Sequence, residues 1–137
     1  TRTKRCCTTS PQRYCDLANA GKLPKRDNFW YGTSVTGKGA PLFATSVDFN
    51  TFLSIEPLME NLEAGLGSFG GVRWVIVGAM TGPGSKQHQP KREWVGNIVE
   101  AAGLTHAAVF MKDSLAPIWG DDLIRDHPDG MVWPEVK

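Results

Sequence analysis

Charge is scarce in this sequence. Of its 137 residues, 21 % are charged, and the formal net charge is +1. A balance this close to zero argues against a partner held by bulk electrostatics, such as nucleic acid or an anionic membrane, although a local basic site remains compatible with it. No apolar run approaches the roughly 20 residues of a membrane span. The N-terminal Thr-Arg-Thr-Lys-Arg has no apolar stretch behind it, so no signal peptide is read there. The first residue is Thr rather than Met, which suggests a processed chain or one cut from something longer.

Cysteine is also sparse. Cys6, Cys7 and Cys15 are odd in number and bunched at one end, so they form no disulfide framework, and a reducing, cytoplasmic compartment is the expectation. Adjacent cysteines do not suit one zinc ion, and no second pair follows. The histidines His88, His106 and His127 stand outside any H-x-x-H or E-x-x-H pattern, so no metal ligand is expected. A phosphate loop is missing too. Gly78 is followed by four residues and then Pro83, where Gly-Lys-Ser/Thr would be required.

What is present is a substantial apolar complement, 41 % of the chain, enough for one domain or part of one. Residues 1–28 are polar and broken by Pro11 and Pro24, and read as an irregular lead-in with a short helix from Pro11 to Gly21. Residues 29–126 read as an α/β core. Phe29–Val35 is aromatic and β-branched, Thr51–Leu58 is nearly continuously apolar, and Trp74–Val77 is wholly so; all three read as strands, with Ala107–Met111 as a fourth. Pro57 cannot donate to a ladder, so pairing should stop at about Glu56. Pro90–Ala102 carries Trp94, Val95, Ile98, Val99 and Ala102 on one stripe and predicts a helix closed by Gly103. Leu115–Arg125 is a second helix candidate, while Pro41–Asn50 and Met59–Gly71 offer at most a short helix and a turn. Strands alternating with helical crossovers predict a parallel sheet of about four strands, either open or part of a (β/α) barrel.

In such folds ligands sit at the strand C-termini. That geometry selects Ser34, Glu56, the Gly78–Gly84 loop with Thr81 and Gly82, and Lys112 with Asp113. A carboxylate ending an apolar strand needs a cation, donors or solvent. Glu56 is therefore either an acid/base or ligand anchor, or one half of a salt bridge to Lys112 or Arg73. Lys112 can bind an anionic ligand, hold the glutamate or, if desolvated, act as a base or nucleophile; otherwise it is a lysine reaching out from the rim. The loop amides after Gly78 could meet an anion or a nucleoside. The five tryptophans fit a core better than a base-stacking surface. A small hydrolase using Glu56 as base has no Ser–His–Asp or metal constellation behind it.

Several segments together resemble a known group. Phe52-Leu-Ser-Ile-Glu56-Pro57-Leu58 looks like the S-x-E-P-L strand of the phage protein Gp-thirty-seven/Gp-sixty-eight family, which is radical-SAM-like and poorly characterised. Trp74-Val-Ile-Val-Gly78 with Thr81-Gly82-Pro83-Gly84, Pro90 to Gly103, Val109 to Leu115, and Asn28 to Val35 are similar to that family's neighbouring segments; Thr3-Lys4-Arg5 resembles one of its strand ends. The resemblance implies the C-terminal half of a partial TIM barrel, with S-adenosylmethionine and a 4Fe-4S cluster in a full-length relative but no cofactor in this chain alone. It also implies that Glu56 and Lys112 are catalytic and that Ser34, Gly78, Thr81, Gly82 and Asp113 line the cofactor. The sequence departs from the family in three ways. The C-x3-C-x2-C cysteines are absent, Met80 stands where the family has Glu, and the Ser34–Phe52 segment is short for a complete crossover. The expected partners are a small-molecule substrate, and either further copies of the chain or a missing N-terminal half. A non-catalytic module assembling through exposed sheet edges is the alternative.

Overall fold

Period-two alternation sorts the strands between two faces, and among the described residues only one of those faces is covered by helices. The computed structural model describes residues 3–37, 49–62 and 70–129. Its elements in chain order are β1 (Lys4–Thr8), α1 (Gln12–Asn19), β2 (Phe29–Ser34), β3 (Asn50–Ile55), β4 (Trp74–Val77), α2 (Arg92–Leu104), β5 (Ala108–Met111) and α3 (Ala116–Trp119). All five strands are parallel and lie in the order β1-β2-β3-β4-β5. The chain is thus an α/β protein, with one strand more than the four read from the sequence. The added strand is β1, from the segment read as an irregular lead-in.

The covered face holds the main core. Tyr31, Thr33, Leu53, Ile55, Val75, Val77, Val109 and Met111 all point to it and are buried. Val95, Ile98, Ala101 and Ala102 of α2 pack there, and each of the larger apolar side chains contributes about 1.5–3 kcal/mol. Trp94, expected on that stripe, is half-buried under the Lys91 ammonium. Gly103 does not stop α2. The helix runs to Leu104 and ends at Thr105, followed by His106 at φ 58°. The second helix candidate is much shorter than expected: α3 ends at Trp119, before Gly120 at φ 107°. The chain then returns along β5, where the amide of Met111 donates to the Ile124 carbonyl and that of Asp126 to the Val109 carbonyl. These bonds form an antiparallel cover on the outer edge of β5. The segments read at Pro41–Asn50 and Met59–Gly71 fall largely on residues 38–48 and 63–69, outside the described residues.

Helix α1 covers the other end of the same face. The Tyr14 hydroxyl donates to the Cys6 carbonyl at 2.9 Å, and that of Tyr31 to the Pro24 carbonyl at 2.6 Å. Burial, and for Tyr14 the hydrogen bond as well, pushes both phenols above the ordinary tyrosine value. An unfolded tyrosine loses its proton near pH 10, about where these two still keep theirs. Above that pH the folded state binds more protons than the unfolded one, so stability falls as pH rises. Urea midpoints should be insensitive to these groups below about pH 10 and decline above it, and Tyr14→Phe should flatten the decline.

Candidate functional site

The face without helices carries an aromatic floor and a polar rim. Register places Gly32, Phe52 and Trp74 side by side, and one layer further along it places Ser34, Ser54, Ile76 and Phe110 together. Trp30, Phe52, Trp74 and Ile76 are buried and Phe110 partly so, as one cluster. Above them is a cavity of about 840 Å³, within the range of about 300–1,000 Å³ typical of small-molecule sites.

The rim is built where the strands run out. β3 ends at Ile55, because Pro57 has no amide to give; the Glu56–Pro57 peptide is cis. Gly78 then donates to the Ile55 carbonyl, and Lys112 to the Val77 carbonyl, which continues the register past the ends of the strands. Glu56, Gly78 and Lys112 thereby share one layer. With no side chain on Gly78, the Glu56 chain lies across it; a Cβ added there would meet Glu56 Cγ at 3.1 Å and Cδ at 3.2 Å. Glu56 Oε2 reaches Lys112 Nζ at 2.5 Å, with the two side chains 33 % and 44 % exposed. Half-exposed pairs of this kind add at most about 1 kcal/mol to stability, so the pair contributes more through position than through folding energy. Arg73, the other partner considered for Glu56, lies at the opposite end of the sheet, where its Nη1 donates to Asn50 Oδ1 at 2.5 Å.

Glu56, Thr81, Lys112 and Asp113 all line the cavity. Ser34 is not among the lining residues; its Oγ is 3.1 Å from Sγ of Cys7, which is. Gly78 lies beneath the Glu56 side chain, whereas Gly82, at φ 92°, is not among the lining residues. The Asp113 carboxylate is 93 % exposed and pairs with Arg125. Met80 presents its backbone carbonyl to the Gln89 side chain. Ala79 is fixed from the far side by donating to Ser114 Oγ at 2.9 Å. The cavity also draws in Arg5, Cys7, Ser54 and Arg125, which the sequence had not suggested. The available signal was the alternation of Arg5 and Cys7 along β1. Among the described residues no group of three His, Cys, Asp or Glu is placed to hold a metal ion, and no helix is long and apolar enough to cross a membrane.

A parallel sheet that, among the described residues, has its helices on one face and a polar-rimmed cavity on the other makes this an α/β protein. More particularly, a family model described as "Protein of unknown function (DUF5131)" matches residues 2–123, and the chain belongs to that family. No curated protein and no solved structure matches it.

Proposed function

We propose that the chain supplies the ligand-binding inner face of a (β/α)-barrel-like protein, and that Glu56 and Lys112 hold a small zwitterionic substrate or S-adenosylmethionine at the strand C-termini. The carrying observation is the Glu56–Lys112 pair, which spans Gly78 at the mouth of the cavity. A carboxylate and an ammonium 2.5 Å apart match the ammonium and carboxylate of an amino-acid group, so a ligand can exchange one internal pair for two pairs of its own. Strand order following chain order supports the barrel comparison. Ser34, Gly78, Thr81, Gly82 and Asp113 are the proposed secondary contacts. The phage-type, radical-SAM-like origin rests on the sequence resemblance. Cys6, Cys7 and Cys15 do not fit a 4Fe-4S cluster, which belongs in this proposal to a full-length relative alone.

Calorimetric titration with S-adenosylmethionine tests this, using the chain alone and the chain joined to a cysteine-bearing N-terminal half reconstituted with iron. Glu56→Gln and Lys112→Met should each weaken binding by about tenfold or more, since charged hydrogen bonds are worth about 1.5–3 kcal/mol, while leaving the melting temperature nearly unchanged. If the joined protein shows neither cluster absorbance nor affinity for S-adenosylmethionine, the proposal fails.

A second proposal, that of an assembly module, has its own observation. β1 pairs only with β2 among the described residues, and most of its residues are exposed. Such an edge can accept a further strand. Light scattering that shows a strict monomer at high concentration would count against it.

A further inference from the structure

We infer that Ser114 gives this cavity a selectivity for carboxylates: the ligand's carboxylate is received on the β5 side by Lys112 and the Ser114 hydroxyl, and its ammonium on the β3 side by Glu56. This rests on the reading of Glu56 and Lys112 proposed above, and adds to it a third contact and a direction for the ligand. Ser114 lines the cavity two residues beyond Lys112. Its Oγ accepts the amide proton of Ala79 at 2.9 Å. Ala79 directly follows Gly78, over which the Glu56 side chain crosses to Lys112. The backbone at the end of β4 thus holds the hydroxyl close to the ion pair.

A serine hydroxyl has one proton to donate. The Ser114 oxygen serves Ala79 as an acceptor, and among the described residues its own proton has no protein acceptor. Lys112 also has donors to spare, because an ammonium carries three and Glu56 takes one. A hydroxyl and an ammonium lining one cavity offer donors to both oxygens of a carboxylate, and hydrogen bonds to an ionised acceptor are the stronger kind. The Glu56 end presents acceptors alone, which suit an ammonium. Asp113 stands between Lys112 and Ser114 in the chain, but its carboxylate is 93 % exposed and paired with Arg125, so its charge is directed to the arginine and to water.

The test titrates the full chain by calorimetry with S-adenosylmethionine and with decarboxylated S-adenosylmethionine, which keeps the ammonium and lacks the carboxylate. Ser114→Ala and Lys112→Met should each weaken binding of S-adenosylmethionine about tenfold or more without weakening the decarboxylated compound, whereas Glu56→Gln should weaken both. Ser114→Ala also removes the acceptor for the Ala79 amide. Ser114→Cys, whose sulfur can still face that amide but donates only weakly, should show the same selective loss, and Ser114→Thr, which keeps the hydroxyl, should bind like the wild type. Melting temperatures report whether each variant is folded. No binding of S-adenosylmethionine by the wild-type chain, binding by folded Ser114→Ala or Ser114→Cys as tight as by the wild type, or an equal loss of both compounds in those variants would overturn the inference. Where Glu56→Gln and Lys112→Met weaken S-adenosylmethionine and the Ser114 variants do not, the inference alone falls and the reading of the ion pair stands.

Discussion

Trp74→Ala is expected to cost about 3–5 kcal/mol, a large part of the roughly 5–15 kcal/mol available to a domain. Trp74 is fully buried at the centre of the helix-free face. Its ring meets Phe52 at 5.8 Å, Trp30 and Phe110 at 6.4 Å each, and His127 at 5.7 Å, while its Nε1 donates to the Asp126 carbonyl at 3.2 Å. Alanine would leave a hole with four aromatic walls and an unpaired carbonyl on the segment that covers β5. Urea unfolding followed by circular dichroism measures the loss. Trp74→Phe should recover most of it, the remainder reporting the hydrogen bond. A cost below about 1 kcal/mol would mean that the floor is not a packed unit.

Gly32→Ala should destabilise by about 1–3 kcal/mol, an overpacking effect in the same layer. A Cβ at position 32 would lie 2.2 Å from Phe52 Cζ and 2.3 Å and 2.5 Å from its two Cε atoms. The Phe52 ring, 2 % exposed, fills the space that the glycine leaves and cannot stay there. Phe52→Leu in the same chain removes the clashing atoms, so the double variant should be more stable than the sum of the two single losses predicts. Thermal melts of the four proteins close the cycle. Strict additivity would show that the ring does not depend on the glycine.

Much of this architecture is visible in the residues, and the parts that are not have physical reasons. Trp74–Val77 reads as a buried parallel strand because both its faces are covered, by α2 on one side and by the aromatic cluster and Arg5 on the other. Glu56 and Lys112 were legible as strand-end charges, since position along a parallel strand is written in the apolar run before it. β1 was not legible. An edge strand with one neighbour can keep Lys4, Arg5, Cys6 and Cys7 exposed, and so lacks the apolar pattern that marks the others. Missing β1 meant missing Arg5 and Cys7. Arg125 escaped for a similar reason: it was read as the last residue of a helix from Leu115, but Gly120 turns the chain and the hydrogen-bonding edge of β5 takes up the segment that follows. The role of Gly78 as the gap that lets Glu56 cross to Lys112 needs three strands in register and is written in no single segment.

The antiparallel cover over β5 gives the sheet a handed width. One margin is finished by the chain's own backbone at residues 124–126, and the other is β1, Lys4–Thr8, which pairs only with β2 among the described residues. Among the described residues, β1 is therefore the margin of the sheet with one strand neighbour and no backbone cover. Any strand that joins there extends the wall next to Arg5 and Cys7 and deepens the cavity from that side, while the side of Lys112 and Asp113 keeps its shape.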